Sequence, residues 1–379
     1  MRREGFALVI ALMVLAAGCL VGVPNTGTGG LQSSPTSETS TPATWMNPFV
    51  HVDNLTVRLP SEDARLNCTT PLWRYILKDA ASCMLSEREL NVIKPLGTAL
   101  KGRNIEESVW NVLEWEGKNL HYNWTKANET PSYIEVRSNG RNEVVSGGGS
   151  ELQTPYETIK RGAGICTDYT LLTDALLLSM GYSPVYMMEP NLSKSAHSTA
   201  VIRVEGWYFV LDQHLPPMDL DAYYGHWRKI GDRIVNATLY EISTGENRAS
   251  VKRIGFLNDT DFLKQAYVMD EHDALGLATG MEEVLSKEFN ITVDRRLSTG
   301  QNGVIPQGYN SLSAWSITFE EIAALYNPAF YSEYVNWLLR RVLAHQGIAE
   351  GIRRAKAIWI DVKNEGGNLK VIIYVGEGQ

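Results

Sequence analysis

Apolar and polar positions alternate with two different periods along this chain, and the switches between them outline its elements. Ile105, Val109, Val112 and Leu113 form a stripe at helical spacing, and Leu171, Leu172, Ala175, Leu176 and Leu178 form a second. Residues 71–97 read as one or two helices, and 261–289 and 318–345 carry helical periodicity interrupted by Gly276, Gly280 and Pro328. Strand-like runs rich in β-branched and aromatic residues occupy 197–204 and 207–212, divided by Glu205-Gly206, a tight hairpin turn. Residues 357–362 and 369–375 read as a terminal hairpin joined by 364–368. A short strand is expected within 45–59 and an edge strand at His121–Trp124. Residues 137–153, with Gly147-Gly148-Gly149, are expected to be a loop flanking or covering a cleft.

The predicted hairpin fixes a register. With Val204 opposite Trp207, Val201 faces Val210 and Thr199 faces Asp212. His197 then lies diagonally from Asp212 on the same face, a spacing of about 7 to 8 Å at the backbone that an imidazole and a carboxylate can bridge. The same register puts His214 opposite His197, making it an internal rival or a second polar wall. Upstream, Gly162 and Gly164 break the chain before Cys166, so Cys166 opens the helix that follows. Unpaired N–H groups and the positive end of the helix dipole favour a thiolate there and could hold an oxyanion. Taken singly, a cysteine before an apolar helix is usually a packed small hydrophobe, and a histidine in a strand is usually structural. Three placements agreeing shift the reading to a nucleophile, a base and an orienting carboxylate: Cys166, His197 and Asp212. Asp168, in the first helical turn, reads as a cap; Tyr122 and Trp124 are cleft candidates by position. Trp110 and Trp115 read as core.

At these residues the chain resembles the transglutaminase-like superfamily of cysteine enzymes. The resemblance rests on a glycine-led G-x-C-x-D-Y at Gly164 to Tyr169, a leucine-rich helix, a strand opened by His197, and Val210-Leu211-Asp212 closing the next strand. Residues 104–124 look like the helix and tyrosine-bearing strand that precede the cysteine in that superfamily. Where many members carry an aromatic two residues after the histidine, this chain has Thr199. The resemblance covers roughly 90–217. It implies an α+β fold, a papain-like core with the nucleophile helix packed on an antiparallel sheet, with an additional C-terminal mixed α/β region. It also implies acyl chemistry through a thioester on a peptide, protein or cell-envelope amide, without a cofactor. Water as acceptor gives an amidohydrolase or peptidase, which the resemblance favours, and an amine gives a true transglutaminase. A catalytically silent surface binding module is the rival from another class.

Composition narrows the setting. At 379 residues and 44% hydrophobic content the chain can bury a sizeable core in about two domains. A net charge of -8 argues against a nucleic-acid partner. Arg2, Arg3, an apolar run to Leu15 and the sequence to Cys19 resemble a lipoprotein signal, with Cys19 lipidated and the protein held on the extracytoplasmic face of the cell membrane. An uncleaved membrane helix from Phe6 to Val23 is the alternative. Residues 20–44 are a Gly/Ser/Thr/Pro tether, 45–225 the expected catalytic domain with an N-terminal helical extension, and 226–379 the C-terminal region. Of four cysteines, Cys68 and Cys83 remain as a disulfide pair or as two buried thiols. Sequons at Asn54, Asn67, Asn123, Asn128, Asn191, Asn236, Asn258 and Asn290 suit a glycosylated exterior. No histidine pair has the i, i+4 spacing of a zinc helix, and Asp270-Glu271-His272-Asp273 reads as a solvated acidic turn, so no metal is expected.

Overall fold

The computed structural model describes residues 8–10, 49–66, 68, 73–128, 134–138, 141–145 and 151–378. Cys19, the tether and the Gly147–Gly149 run lie outside them. The chain forms two compact units, one of residues 16–265 and one of 266–379 with 1–15. The boundary expected at 225/226 falls inside the helix Leu220–Lys229. The strands Ile234–Ser243 and Ser250–Asn258 that follow complete the sheet of the first unit, which is why the division comes later.

That sheet has six strands, all antiparallel, in the order Met218–Asp219, Trp207–Leu211, Thr199–Val204, Val185–Leu192, Ile234–Ser243, Ser250–Asn258. The Glu205-Gly206 turn has positive φ at both residues, 51° and 91°, the signature of a type I′ hairpin whose twist matches the strands it joins. Val204 pairs with Trp207 and Val201 with Val210, the predicted register. The first strand of the pair starts at Thr199, two residues later than expected, with the His197 N–H still donating to the Pro190 carbonyl at 3.2 Å.

The helix Cys166–Ser179 lies on the strands Thr199–Val204 and Val185–Leu192, and the helices Glu87–Leu100 and Ile105–Asn119 pack on it as well. It is therefore covered on more than one side, and its apolar residues do not confine themselves to one stripe. Leu171, Leu172, Leu176 and Leu177 are all fully buried. Truncating any one of them to alanine costs about 2–5 kcal/mol. Cys68 and Cys83 form a disulfide with a Cα–Cα distance of 5.5 Å, closing a short loop worth about 3 kcal/mol in the chain-entropy model. The expected strand within 45–59 is a hairpin, Phe49–Val52 with Leu55–Arg58. Within 137–153, Arg141–Val145 pairs with Ile134–Ser138.

The second unit has a sheet in the order Leu8–Ile10, Ser311–Phe319, Asn368–Glu377, Ala357–Glu365, Thr292–Val293, with the terminal hairpin at its centre. The three described residues of the apolar N-terminal run are thus extended, parallel to Ser311–Phe319. Among the described residues no helix is long and apolar enough to cross a membrane. The helix Glu271–Phe289 runs through Gly276 and Gly280 without a break, because Gly280 makes room for Tyr331 and Val335. The expected helix 318–345 begins only at Tyr331: residues 318–319 end a strand, and Pro328 opens a short 3₁₀ turn.

Candidate active site

Cys166 is the first residue of its helix, buried at 5% exposure, and is free of any disulfide. The cap that holds this helix start is Asp168, whose carboxylate accepts the Ile165 N–H at 2.9 Å. Asp168 does more than the capping role predicted for it. It is fully buried and also accepts the Gln153 N–H at 2.8 Å, the Gln153 side-chain amide at 2.9 Å and the Lys126 ammonium at 2.6 Å. Burial lowers the Lys126 pKa, and the Asp168 charge opposes that shift. The motif glycine follows from the same crowding: a Cβ on Gly164 would sit 2.8 Å from the Asp168 Cβ.

His121–Tyr122 pairs in parallel with Ala163–Gly164, immediately before the cysteine, as an edge strand of two residues. Trp124, expected in that strand, instead opens the short helix Trp124–Asn128 and packs at a tilt against Tyr122, 4.7 Å between ring centres. Asn123 lies between them, its N–H donating to the Gly164 carbonyl at 2.8 Å. A polar cavity of about 300 Å³ opens beside this segment, lined in part by Arg74, Lys126, Gln153 and Arg161. It shares Lys126 and Gln153 with the Asp168 network, and Cys166, His197 and Asp212 are not among its lining residues.

His197 and Asp212 are brought together. The imidazole Nε2 lies 2.9 Å from the Asp212 Oδ1, with the histidine side chain almost wholly buried and the carboxylate partly so. Because Nε2 faces the carboxylate, Nδ1 is the nitrogen that can exchange a proton with a thiol. Trp227, from the helix Leu220–Lys229, packs edge-on against the His197 ring at 5.0 Å and is itself buried. One turn along the helix that Cys166 opens, the Thr170 hydroxyl bonds the Cys166 carbonyl at 2.8 Å and the Ser198 hydroxyl at 3.2 Å. That link ties the helix to the residue next to His197.

His214 is not opposite His197. The ladder stops at Leu211, Gln213 takes a left-handed φ of 64°, and the His214 N–H turns back to the Asp212 carbonyl at 2.7 Å. This bend breaks the extended register on which the expectation rested, and the His214 ring comes to lie near Gly117 on the helix Ile105–Asn119. Desolvation lowers the His214 pKa, with Asp212 acting in the opposite direction.

Two further buried acids lie on and against the helix Cys166–Ser179. Glu116 is fully buried, accepts the Thr173 hydroxyl at 2.8 Å, and has its pKa pushed up to about 8 by desolvation. Asp174 is also fully buried, and desolvation followed by the Glu116 charge raises its pKa well above the carboxylate range. No group of three or more histidine, cysteine or acidic side chains among the described residues is arranged to hold a metal ion. Asp270, the first residue of the predicted acidic turn, caps the helix Glu271–Phe289 by accepting the Asp273 N–H.

The cysteine opens a buried helix and a carboxylate-bound histidine precedes a strand of the adjoining sheet, and a transglutaminase-like domain family matches residues 91–240. The chain belongs to the UPF0252 family. It is 32% identical over 324 residues to a UPF0252 protein of Archaeoglobus fulgidus, covering 85% of this chain and 95% of that one. A UPF0252 protein of Pyrococcus furiosus is 30% identical over 304 residues, covering 79% and 85% of the two chains. Among solved structures, Legionella pneumophila LapG covers 40% of this chain and 72% of its own at 15% identity and a TM-score of 0.26, a likeness too slight to bear on function.

Proposed function

We propose that this protein is a thiol-dependent amide-processing enzyme of peptidase or amidohydrolase type, built on a papain-like core. The observation that carries the reading is the 2.9 Å contact between His197 Nε2 and Asp212 Oδ1, next to a strand tied through Ser198 to the helix that Cys166 opens. In the proposed reaction His197 Nδ1 takes the Cys166 proton and Sγ attacks the amide carbonyl. Helix N-terminal N–H groups stabilise the oxyanion, the leaving amine departs with the proton from His197, and water then hydrolyses the thioester. Asp212 holds the ring in place and stabilises the imidazolium. An amine in place of water would make the same thioester the intermediate of a transglutaminase. The substrate class is a peptide, protein or cell-envelope amide, met outside the membrane by a protein anchored through a lipid on Cys19.

The test is the pH dependence of Cys166 alkylation by iodoacetamide. Reaction should begin well below the pH of an ordinary thiol, and His197→Ala should move it back toward about 8.5. A wild-type titration at the ordinary thiol value would sink the activated nucleophile. Labelling with a thiol-reactive amide probe, followed by a screen of amine acceptors, then separates hydrolysis from transfer. Detergent partitioning that survives deletion of residues 1–32 would remove Cys19 as the anchor.

A further inference from the structure

We propose that the open edge of the strand Ala357–Glu365 is a docking groove for an extended peptide segment carrying basic residues around apolar ones. Among the described residues the short strand Thr292–Val293 pairs with Ala357 and Ile358 alone. The contacts along this edge fix which backbone groups face outward: Lys356 and Ile358 accept from Thr292 and Asp294, and the Ile360 N–H donates to the Glu282 carboxylate at 2.7 Å. Backbone groups alternate sides along a strand, so those of Val362 and Asn364 face outward as well. Beyond Ile360 no strand among the described residues pairs with this edge.

A cavity of about 670 Å³ runs alongside it. Its strand wall consists of every residue from Trp359 to Glu365, so it follows the backbone edge and not a single side-chain face. Its other wall is the helix Glu271–Phe289, where Ala274 and Ala278 lie one turn apart and their small side chains leave room between helix and strand. Leu275, 56% exposed, adds an apolar rim. At about 3.3 Å per residue the unpaired stretch matches a segment of roughly five residues.

The charge around the groove selects the occupant. Its walls carry Asp270, Glu271, Asp361 and Glu365 against Lys363. Lys363 pairs with Asp361 at 2.8 Å, and Lys370 pairs with Glu365 at 3.0 Å, whereas Asp270 and Glu271 are exposed at one end. An incoming strand bonds the outward groups of the edge, places an apolar side chain against Ala274, Ala278 and Leu275, and sets lysine or arginine near the acidic end.

The inference is independent of the acyl chemistry and is tested by binding. Full-length protein is titrated into a fluorescein-labelled peptide of alternating valine and threonine bracketed by lysines, and anisotropy is read. Saturable binding at micromolar concentration is expected, with equal affinity for wild type and Cys166→Ala. Methylating alternate backbone nitrogens of the peptide, which removes the edge hydrogen bonds, should weaken binding by about tenfold or more. Leu275→Asp, at an exposed position, should do the same with the fold intact by circular dichroism. A glutamate-bracketed peptide should bind about tenfold more weakly at low salt and lose that handicap near 1 M salt. Absence of saturable binding overturns the proposal, as does affinity indifferent to backbone methylation or to Leu275→Asp. A concentration-dependent dimer abolished by Leu275→Asp would assign the edge to a second copy of the chain and overturn it equally.

Discussion

The helices Cys166–Ser179 and Glu271–Phe289 both pack against largely antiparallel sheets, yet they carry polar residues in opposite ways. The first is buried on nearly every side and still contains Asp168, Thr170, Thr173 and Asp174 in its interior-facing positions. The second buries one stripe, Ala274, Leu277, Ala278, Met281 and Leu285, and leaves most of its charges in water. Its buried acid, Glu282, is used to cap the Ile360 N–H of an adjacent strand. Buried polar groups oppose folding unless they are bonded, and Asp168, Thr170 and Thr173 each find a partner here.

The comparison can be broken at the hairpin first. One residue inserted between Gly206 and Trp207 reverses the faces of the second strand and should reduce turnover to background with Cys166, His197 and Asp212 all present. Full activity in that variant would end the triad assignment. Asp212→Asn should keep the fold and lower turnover by about 10²- to 10⁴-fold. His214→Ala, measured alongside, should change turnover by less than about threefold, since the bend at Gln213 takes it out of the pair.

Stability tests distinguish the two helices next. Asp168→Ala leaves the Lys126 charge buried without its partner and should cost about 3–5 kcal/mol in urea unfolding. Glu282→Gln, which keeps an acceptor for Ile360, should cost less than about 1 kcal/mol at pH 6, because burial raises the Glu282 pKa to about 7 and the acid is already largely neutral there. Equal losses would erase the contrast.

A further effect is in pH. The folded-state pKa of Glu116, about 8, lies above its unfolded value near 4.5, so the folded state holds the extra proton between them. Its contribution is therefore full below about pH 4.5 and is lost as pH rises to 8, by up to about 1.4 kcal/mol per pH unit. Asp174 acts in the same direction. Glu116→Gln should flatten the slope of stability against pH across that window; an unchanged slope would place the effect elsewhere.

Local signals made the hairpin readable from sequence. A two-residue turn with glycine fixes its own register, and the order of Cys166, His197 and Asp212 along the chain coincides with the order of helix and strands. The terminal hairpin was legible for the same reason, its turn carrying positive φ at Gly366 and Gly367. What escaped sequence reasoning arrives from distant segments. Lys126, Gln153 and Trp227 have no periodicity that points at the site, and each is placed by tertiary packing. The His214 expectation failed because a register extrapolates only as far as the strand continues, and nothing in Gln213-His214 announced a left-handed bend.

The Glu205-Gly206 turn has one more consequence, for the order in which the site comes into being. His197 and Asp212 are separated by only 15 residues and joined through that turn, so bringing them together closes a short loop at small entropic cost. The helix Cys166–Ser179 lies beyond another strand in the chain and must dock through longer-range contacts, which form more slowly. The His197–Asp212 pair is thus assembled by local contacts, and the helix that Cys166 opens joins it only when the core around Leu171, Leu172 and Leu176 has closed. On the proposed reading, a nascent or partly unfolded chain carries an ordinary cysteine, and reactivity arrives together with the native packing.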